Sequence, residues 1–327
     1  MGGIKRLIKK QEFTIFIILI ALCLVATCFN ANFISPANII DLVKSIAFSI
    51  VASGAMAFMI ISGNLDLSCG AMITLGGMVA GGCMVAGIPW PLAVLFSLGL
   101  CAAFGLASGL LVVKVGINSV IATLGMQYVI KGCVYVATKG NPFYPLDDAF
   151  CQIGQGTAAG IPIVIFIAAA ICICFHFILS STVYGRSIMA LGGNDEAARL
   201  SGIKTGSKRI SLYVLLAVFC GLSGILSASR VGSALASAGD GKELTIPAGV
   251  IIGGCSIMGG RGSVVGAIVG VALLETIKNA LVVMRLSAYW QDLATGLIMI
   301  VACSIDVFRQ KNIGGSRKKA KAGDTHL

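Results

Sequence analysis

Charge is scarce in this sequence. Asp, Glu, Lys and Arg make up 11% of its 327 residues, where a soluble domain carries about 25%. With 57% hydrophobic residues and a mean hydropathy of +0.97, that shortage excludes an ordinary soluble protein. Aromatic residues are few as well, at 7%, while glycine reaches 42. The apolar excess is therefore aliphatic and small, the composition of closely packed membrane helices. Histidine is nearly absent, with His176 in the sixth apolar segment and His326 in the tail. A hydrolytic site on the string Gly221-Leu-Ser223-Gly224 needs a base beside the serine, and neither histidine is placed to serve; small-residue helix packing explains the string. A phosphate-binding P-loop is missing too. The one Gly-Lys pair, Gly241–Lys242, is followed by Glu243 rather than Ser or Thr, so ATP hydrolysis, if it occurs at all, has to come from a partner chain. No polar stretch is long enough for a separate soluble domain, and residues 1–327 read as a single membrane domain.

Cysteine is not scarce, but the twelve cysteines do not form a disulfide framework. Nearly all fall within apolar runs (Cys23, Cys28, Cys83, Cys101, Cys172, Cys174, Cys220, Cys303), where a thiol acts as a small hydrophobe, and no spacing resembles a zinc site. The net charge of +11 invites a nucleic-acid reading. The basic residues flank apolar segments, however, so membrane orientation explains them and no nucleic-acid partner is expected. A basic run (Lys5, Arg6, Lys9, Lys10) precedes an apolar stretch from Phe13 to Phe29, which is too long for a signal-peptide core and reads as a retained first helix.

At roughly 20 residues per span, the chain predicts an all-α polytopic bundle of about ten transmembrane helices. The apolar segments are 13–30, 45–61, 69–87, 91–113, 119–137, 161–179, 210–228, 247–259, 263–283 and 289–305. Segment 247–259 is short and glycine-rich, and 119–137 contains Gln127 and Lys131; both are expected to be discontinuous or re-entrant. With the N-terminus inside, the inner loops and tails hold 17 of the 24 Lys and Arg residues. The positive-inside rule then places both termini, with basic tails 1–12 and 306–327, in the cytoplasm. Spans two to five and seven to ten enter the membrane in opposite directions, and each group carries a glycine-rich interruption, Asn64–Gly82 and Gly249–Gly270. Paired interruptions of this kind point to an inverted repeat.

The inner loop 180–209 carries strong local signals. Asn194 is a good N-cap, Asp195 and Glu196 put negative charge in the first turn, and Gly202 stands where a C′ glycine belongs. A helix of about two turns is marginal in water by itself, so it packs on its own bundle or on another protein. A mere connector needs neither the caps nor the Gly192–Gly193 pair.

Within that loop, Ala190–Ile203 (ALGGNDEAARLSGI) closely resembles the coupling loop of ribose-type ABC sugar-importer permeases, the inner-membrane components of binding-protein-dependent transport systems. NLDLSCGAMITLGG at Asn64–Gly77, NSVIATLGM at Asn118–Met126 and IIGGCSIMGGRGSVVGAIVG at Ile251–Gly270 resemble the same family in the same order. The resemblance implies a permease subunit of a sugar importer (pentose- or hexose-like substrate) in the bacterial cytoplasmic membrane. It also implies a second permease chain, identical or paralogous, an extracytoplasmic sugar-binding protein, and an ATPase that binds ATP and Mg; no cofactor is expected in this chain. By the same resemblance Gly193, Asn194, Glu196, Ala197, Ala198, Arg199 and Gly202 form the segment that couples to the ATPase. One segment departs from the pattern: where the family usually reads GYELDAIAA, Gly241–Gly249 reads GKELTIPAG. Lys242, Thr245 and Pro247 change charge and backbone stiffness on what is expected to be the outer side of the eighth span.

The other polar residues leave alternatives open. Asn64, Asp66 and Ser68 precede a glycine-rich helix, where Asp66 either caps that helix or shapes the inner end of a pathway. Thr123 and Gln127, one turn apart, point the same way into the bundle, for interhelical bonding or for the pathway. Glu275 and Lys278 are expected to neutralise each other on the ninth span, while Tyr289 and Trp290 read as interfacial anchors beside Asp292. The rival class is an ion-coupled secondary transporter of a small polar solute. It needs core carboxylates, for which Glu275 is the candidate, and it leaves the capped loop helix without a purpose.

Overall fold

In lipid every backbone polar group must be satisfied within the protein, so apolar runs close their own hydrogen bonds as helices. The computed structural model describes residues 11–287 and, beyond them, 289–291, 293, 294, 296, 297, 300 and 304. Residues 1–10 and 306–327 of the tails, Asp292, Cys303 and much of the expected span 289–305 lie outside the described residues. The helices in chain order are α1 (Gln11–Phe29), α2 (Pro36–Ile61), α3 (Cys69–Val85), α4 (Trp90–Leu110), α5 (Ser119–Thr138), α6 (Asp148–Gln155), α7 (Ile163–Ser181), α8 (Val183–Gly193), α9 (Asp195–Leu200), α10 (Thr205–Val231), α11 (Lys242–Ile252) and α12 (Val264–Val283). A two-residue antiparallel hairpin, β1 (Thr157–Ala158) and β2 (Ile161–Pro162), follows α6. Among the described residues the fold is all-α apart from this hairpin and a single bridge between Phe143 and Ala234. Among the described residues, α2, α4 with its terminal turn to Val115, α5, α7, α10 and α12 are long and apolar enough to cross a membrane. This is a multi-pass membrane protein.

Three helices form the centre, α2, α10 and α12, the last as buried as α10. In α2 the apolar window is 78% buried and in α10 56%, against 28% in α4, α5 and α7, whose Phe96, Ile121, Val136 and Ile173 face outward. Such an apolar exterior suits lipid, where outward-facing aliphatic surface is not penalised. Close backbone approach holds the centre together. Gly76 of α3 and Gly221 of α10 meet with no room for a side chain, and a Cβ on Gly221 would sit 2.6 Å from Cys101 Sγ of α4. Gly253 and Gly266 bring α11 and α12 together in the same way.

Several expected boundaries move. The second span starts at Pro36 rather than 45, because Ser35 accepts from the Asn38 N–H and Pro36 opens the first turn. Its polar residue Asp41 is neutralised by Arg230 at 2.9 Å. The fifth segment is not interrupted: α5 runs unbroken through Gln127 and Lys131, and Lys131 finds Asp240 at 2.8 Å across the bundle. The eighth segment is helical over Lys242–Ile252, not 247–259, with Pro247 inside the helix. Its charged first residue is tolerated because it pairs with Glu275, which periodicity along one segment cannot reveal.

Two chain returns interrupt the bundle. After α2 the chain runs non-helically through residues 62–68 before α3, and after α10 it does so through 232–241 before α11. Each following helix is short; 11 residues at 1.5 Å each give α11 about 16 Å, roughly half of the ~30 Å hydrocarbon layer. The two starts meet in the interior. Cys69 Sγ donates to Lys242 O at 3.7 Å, and the Gly239 N–H donates to Thr74 Oγ1 at 3.1 Å. From there α3 packs along α10 and α11 along α2 and α12.

Candidate coupling loop and translocation site

At one end of the bundle lies the punctuated loop. Thr182 caps α8 by accepting from the Gly185 N–H, and α8 runs to Gly193 as a helix that the loop sequence does not announce. Asn194 then caps α9, its side chain accepting from the Ala197 N–H at 3.0 Å, with Asp195 and Glu196 in the first turn and Arg199 in the last. The C-terminus closes as expected: Gly202 stands at φ +83°, its N–H donates to Arg199 O, and the Ile203 N–H donates to Ala198 O. That pair of bonds is the Schellman arrangement.

Only one residue of this helix is buried in its own chain, Ala198 at 4% exposure. Glu196, Ala197, Arg199 and Gly202 are exposed, and so are Gly193 and Asn194. Leu200 is 81% exposed although it is apolar and lies outside the spans. A half-exposed pair, Arg209–Asp195 at 3.3 Å, holds the helix to the start of α10.

The root of the loop is locked into the bundle. Gly192 packs against the Ile61 carbonyl that ends α2 and against Gly260, while the Gly260 N–H donates to Ile61 O at 2.8 Å. Gly259, at φ +81°, comes up against the Gly192 backbone, and only glycine fits both that dihedral and that contact. Tyr184 OH and Ser211 Oγ are 2.7 Å apart, and Lys208 Nζ lies 4.4 Å from the centre of the Tyr184 ring. The loop thus touches the ends of α2, α10 and the 253–263 turn at once.

The interior polar residues gather where the two short helices begin. Asp66 and Ser68 are buried and Asn64 is half-buried. Asp66 Oδ1 accepts from the Ser68 N–H at 2.7 Å and from Ser68 Oγ at 2.6 Å. It therefore shapes the return before α3 and does not cap that helix, whose first turn has no side-chain cap. Asn64 Nδ2 bonds back to Ser62 Oγ at 3.0 Å. Thr123 Oγ1 accepts from the Leu67 N–H at 3.1 Å and donates to Ser119 O, tying α5 to the same return. Gln127 is also buried, at 7% exposure. The structure thus brings Asp66, Ser68, Thr123 and Gln127 together, while the loop residues 193–202 form a separate site.

Sequence reasoning missed the charged side of this junction. Lys131, one turn beyond Gln127, pairs with Asp240 and lies 3.7 Å from Glu243 Oε1. Lys242 forms an ion pair with Glu275 and donates to Ser49 Oγ at 2.9 Å; Ser49 in turn donates to Glu275 Oε1 at 2.8 Å. Lys278 donates to Thr245 Oγ1 at 2.8 Å. Glu275, expected to be neutralised by Lys278 of its own helix, is thus ion-paired with Lys242 from another, which sits inside the bundle and not on an outer rim. The available signal was the seven basic residues left outside the inner loops and tails. A charge at membrane depth needs a partner, and Lys131, Lys242 and Arg230 each have one.

The branched-chain amino acid transport system / permease component family matches residues 38–303 of this chain. The chain belongs to this family. Among relatives of the permease, the ribose import permease protein RbsC of Bacillus subtilis (strain 168) is 33% identical over 298 residues, covering 90% of this chain and 92% of the relative. RbsC of Escherichia coli (strain K12) is 32% identical over 308 residues, 93% and 95% of the two chains. The L-arabinose ABC transporter permease protein AraH of Azospirillum brasilense is 28% identical over 311 residues, 94% and 91%. No solved structure matches the permease. As a transport component it works by moving a solute rather than by transforming one.

Proposed function

We propose that this permease is the membrane-spanning subunit of an ATP-driven importer that carries a pentose- or hexose-like sugar across the bacterial cytoplasmic membrane by alternating access. The observation that carries the reading is α9, a fully capped helix whose exposed residues include Leu200, in a chain whose relatives are named for ribose and L-arabinose. An ATPase, holding ATP and Mg, receives the segment of Gly193, Asn194, Glu196, Ala197, Arg199 and Gly202, while Ala198 of the same helix packs back on the permease. An extracytoplasmic sugar-binding protein delivers substrate to the outer loops around 139–160, 229–246 and 284–288, the second of which dips into the bundle from Gly239 onward. The pathway passes Asn64, Asp66, Ser68, Thr123 and Gln127 and runs between this chain and a second permease chain.

The bundle has about ten spans, with both termini and loop 180–209 in the cytoplasm. Lys114, Arg186, Arg199, Lys204, Lys208, Arg209 and Arg261 all fall at the end of the bundle where α9 lies, which favours that end as cytoplasmic. An inverted repeat is favoured by the two matched returns, 62–68 and 232–241, each followed by a short helix that packs on the long helix of the other half. The test is uptake and ATP hydrolysis by the assembly of permease, ATPase and binding protein in vesicles. Glu196→Lys and Gly202→Val are expected to separate hydrolysis from uptake while the permease still inserts; full uptake by both variants overturns the reading.

A further inference from the structure

The junction of the two short helices has two buried oxygens with no hydrogen-bond partner among the described residues, Gln127 Oε1 and Glu243 Oε2. Both are acceptors, and a buried acceptor left unpaired is costly. They lie on facing elements. On α5, Thr123 bonds to Leu67 just before α3, and Lys131 reaches Asp240 and Glu243 at the start of α11. Gln127 is one helical turn from each on the same face, so its side chain enters the space between the two helix starts. Glu243, in the first turn of α11, lies against Gly70 in the first turn of α3, where any side chain would collide with its carboxylate. At the edge of the junction Lys131, Asp240 and Glu243 are 21%, 49% and 18% exposed, while the two oxygens themselves are covered, so a ligand reaches them only as these side chains move apart.

The chemistry of the cluster selects its ligand. Lys131, Lys242 and Lys278 stand against Asp240, Glu243 and Glu275 around the junction, so these charged side chains balance and the site favours neither an anion nor a cation. What it lacks is hydrogen-bond donors. A neutral polyol supplies them from adjacent hydroxyls at low desolvation cost, and Lys131 can donate to an oxygen of the same molecule. We infer that Gln127, Lys131 and Glu243 form a sugar-hydroxyl subsite inside the permease, which tests the substrate a second time after the binding protein has released it. This rests on the sugar-import reading above and adds a specificity-determining residue set to it.

The test uses the complete assembly in vesicles, with D-ribose and L-arabinose as probes and then each monodeoxy analogue of whichever sugar is imported. For every permease variant the rate with the parent sugar is divided by the rate with the analogue. The binding protein is the same throughout, so a changed ratio belongs to the permease, and a general loss of rate cancels. Gln127→Met and Glu243→Gln are each expected to reduce discrimination against one analogue about tenfold, because the hydroxyl that analogue lacks no longer has a dedicated partner. The milder Gln127→Asn covers the case in which Gln127→Met fails to assemble. Unchanged ratios for all analogues in the assembled variants overturn the subsite while leaving sugar import intact. If the unmodified assembly imports neither these two pentoses nor a hexose such as D-glucose or D-galactose, the underlying reading falls and the subsite with it.

Discussion

At the scale of single residues, Glu275 is the most demanding position in the bundle. It is 4% exposed, and its charge is balanced by Lys242 from α11 with Ser45 and Ser49 of α2 donating to it. Removing one partner of such a pair strands the other, at a cost of roughly 3–5 kcal/mol. Glu275→Ala is therefore expected to lower the unfolding temperature of the detergent-solubilised permease sharply. The double variant Glu275→Ala/Lys242→Met should recover much of the loss, because the stranded ammonium is gone. Equal losses in the single and double variants would count against the pairing. Backbone contacts give a second prediction at this scale. Gly224→Ala drives a methyl into the Ile73 carbonyl, whereas Gly99 has nothing within 4 Å of an added Cβ. Thermal unfolding should separate the two, with a large loss for the first and almost none for the second.

At the scale of elements, α9 shows how far local signals carry. Asn194→Ala removes a cap worth about 1 kcal/mol, and Gly202→Ala forces a left-handed conformation costing roughly 1–2 kcal/mol. Hydrogen exchange is expected to show faster opening of α9 in both variants with α2 and α10 unaffected. Leu200→Glu removes exposed apolar surface without touching the bundle; co-purification of the ATPase should fall while the unfolding temperature holds. The caps of α9 were legible because Asn194, Glu196 and Gly202 act within one turn of where they stand in the chain. The start of α11 was not. Lys242 reads as the end of a loop until Glu275, 33 positions away, comes beside it, and Lys131 reads as an interruption of α5 until Asp240 neutralises it. Thr123 and Gln127 were legible as one face by their spacing. Glu243 opposite them was not, since only the folded chain brings the two returns together. The helices α6 and α8 were missed because their amphipathic character is confined to 8 and 11 residues.

At the scale of the whole molecule, the two ends of the bundle differ in charge and in what they hold. One end carries α9 and the 253–263 turn. The other joins Asn30 to Val283 at 2.9 Å and Phe143 to Ala234 through a pair of backbone bonds. Single cysteines at Leu200 and Tyr144, both largely exposed, test this polarity once the exposed native Cys28, Cys133 and Cys174 are replaced. A membrane-impermeant maleimide is expected to label position 144 from outside intact cells and position 200 only in inverted vesicles. The opposite pattern would reverse the orientation.

The contact of Gly192 with Ile61 and Gly260 has a mechanical consequence. Where long side chains meet, a small push is absorbed by rotamer changes before any helix moves. Here three strands of bare main chain abut, and nothing between them can yield. A shift of Gly192, at the end of α8 just ahead of α9, therefore meets the end of α2 and the 253–263 turn directly, with no flexible side chain in between.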